Sequence, residues 1–132
     1  MALWYCEPMT MFDFGNGPVS AHRHPNGGGW VADTAQVDDT VYVGPKAKVY
    51  GQATVFDYAI ISEGAEVYAR ALVYGESHIC GNARIYGRAR VFEQALVYGN
   101  AHVYGNARVS GRARVISKAR VFGRVLGDER IF

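Results

Sequence analysis

Histidines are the side chains in this chain whose type and spacing most directly suggest chemistry. His22 and His24 lie two residues apart, a spacing that places both imidazoles on one side of a strand, where they could hold a metal ion. Metal sites use at least three protein ligands and no third ligand lies nearby in sequence, so we expect polar loop residues and no metal. His78 and His102 are the remaining histidines, and each could act as a general base if a substrate were held against it.

Arginines form the second chemically suggestive set. Residues 1–78 hold nine acidic and four basic side chains, net −5, whereas residues 79–132 hold three acidic and ten basic ones, net +7. Clustered guanidinium groups bind phosphate and carboxylate groups, so the C-terminal part is predicted to bind an anion; the alternative is a solvated face without a ligand. No base-reading motif accompanies the cluster, so we do not expect nucleic acid as the partner. The candidate anion-binding residues are Arg84, Arg88, Arg90, Arg108, Arg112, Arg114, Arg120 and Arg124.

A six-residue repeat over residues 35–124 must position these side chains. Fifteen consecutive hexads read Ala-x-Val-x-x-x, with Val41 and Ser77 in place of Ala and with Ile three times in place of Val. Two small or β-branched residues around one outward residue describe a short strand with one buried face, and the Gly-Asn, Gly-Arg and Pro-Lys pairs that follow favour turns. A helix is excluded, because a period of six would spread the Val positions around its axis. Three strands and three bends close a triangle, so three hexads make one turn and the fifteen hexads predict five turns.

An aliphatic residue at every sixth position, with a small residue two positions before it, resembles the hexapeptide-repeat family of left-handed parallel β-helices. The resemblance covers about two thirds of the chain. It implies an all-β fold, a left-handed triangular solenoid and parallel homotrimers; the spacing alone does not give the hand, since strand crossovers are generally right-handed. Residues 24–31, which lead into the hexads, also resemble small hexapeptide-repeat proteins carried by bacteria and prophages.

Two enzymatic chemistries occur in the hexapeptide-repeat family. Its acyltransferases use a His as general base, and its γ-type carbonic anhydrases hold zinc with three histidines across a trimer interface. In this chain no loop interrupts the repeat to wall a pocket, and the closely spaced His pair of the γ-type enzymes is absent from the hexads. We therefore predict no enzymatic activity, no cofactor and no metal; acyl transfer with a His base and a purely structural scaffold are the alternatives.

Outward positions of the predicted solenoid form columns, because residues three hexads apart stack in neighbouring turns about 4.8 Å from each other. We call the three faces first, second and third, after the hexads that begin at Ala35, Val41 and Ala47. An aromatic ladder follows the Val position on the third face: Tyr50, Tyr68, Tyr86, Tyr104 and Phe122. This ladder either stiffens the sheet by self-stacking or offers a stacking platform to a planar ligand or partner.

Outward apolar residues on the first and second faces predict an interface. A strand that is apolar on both sides is usually covered on both sides, and a contiguous exposed patch of this size is unusual for a monomer. With the family's habit of parallel trimers, the patch predicts a homotrimer. Its residues are Phe56, Ile60, Leu72, Tyr74, Phe92, Leu96 and Tyr98.

Three segments make up the predicted organisation: an N-terminal cap at 1–29, the solenoid at 30–126 and a C-terminal tail at 127–132. A cap is needed because an open coil presents unpaired strand edges, and residues 3–6 and 9–14 have strand-like composition. Gly127 falls where a Val is due. Either Leu126, Ile131 and Phe132 therefore fold over the last turn, or this end is an association surface.

Cysteine usage and the N-terminal sequence favour the cytoplasm. Cys6 and Cys80 lie far apart in the sequence and fit neither a disulfide framework nor a metal motif. The N-terminal residues lack the basic and apolar regions of a signal peptide. No apolar run approaches the ~18 residues of a membrane span, so we expect no membrane partner.

The function predicted from these features is binding without catalysis, by a homotrimeric solenoid whose basic C-terminal turns hold an anionic partner. Two kinds of partner fit the arginines equally well. One is a nucleotide-like signal held between protomers, as a phage protein that sequesters a host signal would hold it. The other is an acidic host protein.

Overall fold

The computed structural model describes residues 10–132, and the predicted strand at residues 3–6 lies outside this range. Twenty strands and the turns between them make up the described part, which contains no helix. Most strands are two residues long, because each hexad spends its other residues on the bend. No helix of the described residues is long and apolar enough to cross a membrane.

The strands form three sheets, one on each face of the solenoid. The third face has the order β1 (Met11–Asp13), β2 (Pro18–Arg23), β3 (Trp30–Ala32), β6 (Lys48–Val49), β9 (Glu66–Val67), β12 (Arg84–Ile85), β15 (His102–Val103) and β18 (Arg120–Val121). The first face has β4 (Gln36–Val37), β7 (Thr54–Val55), β10 (Leu72–Val73), β13 (Arg90–Val91), β16 (Arg108–Val109) and β19 (Arg124–Val125). The second face has β5 (Tyr42–Val43), β8 (Ile60–Ile61), β11 (His78–Ile79), β14 (Leu96–Val97), β17 (Arg114–Val115) and β20 (Arg130–Ile131).

Successive turns pair in parallel, in the register predicted from three hexads per turn. Leu72, for example, lies between Thr54 of the turn before and Arg90 of the turn after. Its backbone amide donates to the carbonyl of Ala89 at 2.9 Å, and the same bond recurs at the equivalent positions of the other turns. The all-β solenoid with three hexads in each turn is therefore confirmed.

A single apolar column fills the solenoid. The Ala and the Val or Ile of every hexad are buried, except Val37, which is partly buried and packs against the same core. Ser77, which replaces Ala, is fully buried and donates its hydroxyl to the carbonyl of Tyr74 at 3.0 Å, so its polar atom is satisfied. The inward orientation predicted from the repeat is thus confirmed.

The solenoid has about six turns, one more than the fifteen hexads predicted. The first turn already includes β3, and the last turn is completed by β19 and β20. Val125 follows Val121 after four positions, where the repeat requires six, so Arg124 pairs with Arg108. This shortened step moves Gly127 out of the Val slot and into a corner with φ of +63°, stacked on Gly111.

The C-terminal residues continue the solenoid where a tail was expected. Arg130 and Ile131 form β20, which pairs in parallel with β17. Leu126 and Phe132 are 50% and 75% exposed, so they do not fold over the last turn, whereas Ile131 packs against the core.

A hairpin covers the other end of the solenoid. Strand β1 pairs antiparallel with β2, and β2 pairs antiparallel with β3, so the hairpin extends the third face. The loop after β2 lies along the edge of the second face formed by β5. There the Gly29 amide donates to the carbonyl of Val43 and the Val43 amide donates to the carbonyl of Asn26, both at 2.9 Å. Gly29 is required there, because a Cβ atom would lie 2.3 Å from the carbonyl oxygen of Gly44.

Candidate functional site

Arginines stack in register on the last turns of the first face. Arg90, Arg108 and Arg124 occupy the same outward position on β13, β16 and β19, and all three are exposed. We call these three residues the arginine ladder. Because paired strands lie ~4.8 Å apart, the ladder holds three like charges in one row. On the second face Arg114 pairs with Arg130 in the same way.

The other predicted arginines surround this row. Arg112 lies at the corner between the first and second faces, and its Nε donates to Oε1 of Gln94 at 3.2 Å. On the third face His102 lies between Arg84 and Arg120 in register. Arg88 is exposed at the corner beyond the third face. The predicted cationic residues thus share the C-terminal turns but do not converge on one cavity.

None of these arginines forms an ion pair within residues 10–132, where His22 with Asp33 is the one pair present. Like charges directly opposite each other on adjacent strands are destabilising. Three unpaired guanidinium groups in a row therefore cost stability unless an external anion neutralises them.

The last turn repeats one sequence on all three faces. Each of its strands carries an outward Arg, then a core aliphatic residue, then a large apolar residue, and Phe122, Leu126 and Phe132 are 68%, 50% and 75% exposed. The amide of Leu126 donates to Oε1 of Glu129 at 2.8 Å, so a carboxylate already occupies one backbone donor of this turn. The turn therefore combines three exposed arginines with three exposed apolar side chains.

Sequence reasoning missed Arg130, which this last turn contains. This residue was expected in the tail, because a strict period of six ends at Val121. The signal was present in the sequence, since residues 130–132 repeat the Arg-aliphatic-apolar triplet of residues 120–122 and 124–126.

The two histidines of the solenoid lie on different faces. His78 is exposed on the second face between Ile60 and Leu96, beside a shallow groove of about 330 Å³ that Glu76, Gln94, Arg112 and Arg114 also line. His102 accepts or donates a hydrogen bond at Nδ1 with the hydroxyl of Tyr86 at 3.1 Å. Burial, followed by the charges of Arg120 and Arg84, lowers the pKa of His102 below its usual 6.5.

The N-terminal histidines contact protein groups. His24 is buried, and its Nε2 lies 2.7 Å from the carbonyl oxygen of Val41, which ties the loop after β2 to the first turn. His22 is exposed and its Nδ1 lies 2.7 Å from Oδ1 of Asp33. Each ring therefore has one nitrogen engaged in fixing the hairpin to the solenoid.

The aromatic residues of the third face form one continuous stack. Ring centroids of Tyr50 and Tyr68 are 4.8 Å apart, those of Tyr68 and Tyr86 5.1 Å, and those of Tyr86 and Tyr104 5.4 Å, with nearly parallel planes. Phe122 ends the ladder with its ring tilted by 42°. Since each internal ring has both faces covered by its neighbours, the internal rungs present their edges to a partner.

A second aromatic stack lies on the first face, within the predicted interface. The ring centroids of Phe56 and Tyr74 are 4.7 Å apart and those of Tyr74 and Phe92 5.1 Å. Every residue of the predicted patch is half-buried in the single chain, because neighbouring turns cover part of each side chain. The patch is Phe56, Ile60, Leu72, Tyr74, Phe92, Leu96 and Tyr98.

Comparison with known proteins gives one match. Residues 83–99 match the family model described as YdcK Beta solenoid repeat. No curated protein matches the chain, and no solved structure matches it. The match and the parallel solenoid together fit a hexapeptide-repeat-like β-helix family.

Proposed function

We propose that this solenoid is a non-enzymatic binding protein that holds an acidic partner protein on its C-terminal turns. The observation that carries the proposal is the arginine ladder, three exposed arginines in register on neighbouring strands that form no ion pair within residues 10–132. Guanidinium groups pair with carboxylates through charge-assisted, often bidentate, hydrogen bonds. An acidic surface laid on these turns would remove the repulsion along the row.

An acidic protein suits the arrangement better than a nucleotide-like ligand. Binding sites for small anions converge several donors on one concave pocket. The arginines instead spread over three faces and two corners, and no described cavity is lined by more than two of them. A broad surface of this kind matches an equally broad acidic surface, which it would also attract over long range.

We further propose that the protein acts as a homotrimer in the cytoplasm, with the apolar patch of the first and second faces between protomers. Ile60 and Leu96 flank His78 on the second face, and Leu72 lies in register with Arg90 on the first face. On the first face the ladder begins at Arg90, in the turn that also holds Phe92, and continues past the patch through Arg108 and Arg124. The trimer would therefore leave the last basic turns open to a partner. The resemblance to prophage proteins would make that partner a host protein.

Poly-L-glutamate is a suitable probe of this function, because it offers carboxylates without a defined fold. We expect fluorescently labelled polyglutamate to bind the protein, and Arg90→Glu with Arg108→Glu to weaken binding by at least about a hundredfold, since two charge-assisted contacts become repulsive. The melting temperature should barely change. Fluorescence anisotropy measures the affinity.

The matched control carries the same charge change in earlier turns of the solenoid. Lys46→Glu with Arg70→Glu alters exposed residues outside the arginine ladder and should leave binding within about threefold of the parent, because screening limits exposed charges to short range. Equal losses of polyglutamate affinity in the two double variants would contradict binding at the arginine ladder. Tighter binding of a nucleotide or an oligonucleotide than of polyglutamate would reject an acidic protein as the partner.

A further inference from the structure

A cavity of about 260 Å³ lies between the N-terminal hairpin and the first turns of the solenoid. The hairpin supplies residues on either side of its turn, and the solenoid supplies the last residue of β3 and the residues that follow β3 and β6. The cavity is lined by Phe14, Asn16, Gly17, Val19, Ser20, Ala32, Asp33, Thr34, Tyr50 and Gly51.

Apolar groups form most of the cavity wall. Phe14 stacks on Tyr50 with a centroid distance of 4.7 Å and an angle of 19°, so the hairpin adds a ring to the aromatic ladder. Ala32 is buried, whereas Val19 is 44% exposed although it is a large aliphatic residue. An exposed Val beside two stacked rings is suited to contact with an apolar ligand.

Asp33 is the one charged residue among the ten that line the cavity. The Ser20 hydroxyl donates to its Oδ2 and the His22 Nδ1 lies 2.7 Å from its Oδ1. These hydrogen bonds, that of Ser20 first, lower the pKa of Asp33 below its usual 3.8, so the group is a carboxylate at neutral pH. Each of its oxygens takes one of these bonds and can accept another.

The carboxylate of the hairpin itself is already used for folding. Asp13 Oδ1 accepts the amides of Gly15 and Gly17 at 2.7 and 3.1 Å, which holds the turn between β1 and β2. Asp33 therefore supplies the charge that a ligand in the cavity would meet.

The geometry points to a binding site for a small organic cation, an amine with an apolar body. Its ammonium group would donate to the free lone pairs of Asp33, with the Ser20 and Thr34 hydroxyls as further acceptors, and its apolar body would lie against Phe14, Tyr50 and Val19. The cavity has the volume of roughly eight or nine water molecules at ~30 Å³ each, which suits one ring with a short chain. An anion would be repelled by Asp33, so this site is independent of the arginine ladder.

Phenethylamine is the probe that tests the site, with 2-phenylethanol as its neutral counterpart and phenylacetate as its anionic one. We expect phenethylamine to bind at least about tenfold more tightly than 2-phenylethanol, because only the amine forms a charge-assisted bond, and phenylacetate not to bind. Chemical-shift perturbation of the residues that line the cavity measures the affinity and the location together. Equal affinities for the amine and the alcohol, or no binding of the amine, would overturn the proposal.

Two variants separate the charge from the cavity. Asp33→Asn should weaken phenethylamine binding at least about tenfold, whereas Asp38→Asn, the same change at an exposed residue that does not line the cavity, should leave it unchanged. Val19→Trp should abolish binding by filling the space while Asp33 is retained, which keeps the test decisive if Asp33→Asn fails to fold. Undiminished binding by Val19→Trp, or equal effects of the two Asn variants, would contradict the site.

Discussion

Individual corner residues determine how closely the turns can stack. Most of the left-handed corners use Gly with φ near +70°, yet Asp57, Glu63, Ala69, Glu93 and Ser117 adopt the same conformation with a side chain. Three of these are acidic, and each carboxylate accepts the amide of the corner Gly in the next turn, at 3.0 to 3.1 Å. Hydrogen bonding therefore offsets backbone strain at those three corners, and Ala69 lacks any such compensation.

Ala69→Gly is accordingly expected to stabilise the protein. A left-handed residue with a Cβ atom costs about 1 kcal/mol relative to Gly, and Ala69 has no side-chain hydrogen bond to lose. Chemical denaturation followed by circular dichroism measures the gain. Glu93→Gly is the control, and its gain should be smaller because its bond to the Gly111 amide is lost. A destabilised Ala69→Gly variant would show that φ at this corner is not a source of strain.

His102 links stability to pH. Its pKa in the folded protein is below the usual 6.5, so in acid the unfolded chain takes up the proton first. The stabilisation that neutral His102 gives the folded protein is therefore complete above pH 6.5. It is lost as the pH falls toward the pKa that His102 has in the folded protein. His102→Gln should lose less stability than the parent between pH 7 and pH 5, measured by denaturant midpoints. An unchanged pH profile would show that neither burial nor the charges of Arg120 and Arg84 lower the pKa of this ring.

At the scale of the strands, burial and register could be predicted from the sequence only where residues follow the six-residue period. The buried Ala and Val column and the register of three hexads per turn follow from the repeat itself, because alternation along each strand decides which side chain is inside. The sixth turn could not be predicted from a fixed period, since the chain omits two residues between Val121 and Val125. The cavity could not be predicted either, because it depends on how an antiparallel hairpin outside the repeat lies against Tyr50.

A charge in the core column tests the strand assignment. Ile85 is fully buried and Arg84, its neighbour on β12, is exposed. Ile85→Asp should unfold the protein, because an unpaired buried charge costs more than about 4 kcal/mol. Arg84→Asp, the same new residue on the same strand, should leave it folded. A soluble Ile85→Asp variant that melts cooperatively would contradict the inward column.

The whole molecule is polarised along its axis. Acidic residues, the hairpin and the cavity with Asp33 belong to the N-terminal turns, whereas the unpaired arginines belong to the last ones. The apolar patch, within residues 56–98, lies between the cavity and the last turn. A trimer formed through this patch would display three basic ends together. The affinity of each basic end for an acidic surface could then be moderate, because three ends that bind one surface together give a higher overall affinity.

We expect the trimer to require the apolar patch, whereas folding of the single chain does not require it. Leu72→Arg with Leu96→Arg should give a folded monomer, because both side chains point outward and are only half-buried in the single chain. Gln52→Arg with Asn106→Arg adds the same charge at exposed corners outside the patch and should remain a trimer. Sedimentation velocity at micromolar concentration distinguishes the two. A parent protein that sediments as a monomer would contradict the interface.

The most direct test of binding by the basic turns is the salt dependence of polyglutamate affinity. Exposed charges are screened within about 8 Å at physiological ionic strength, so the affinity of the parent protein should fall steadily between low and physiological salt. The variant with Arg90→Glu and Arg108→Glu should bind weakly throughout, with a much shallower salt dependence. An affinity that is insensitive to salt, or an equally steep dependence in this variant, would contradict the claim that the arginine ladder holds an acidic partner.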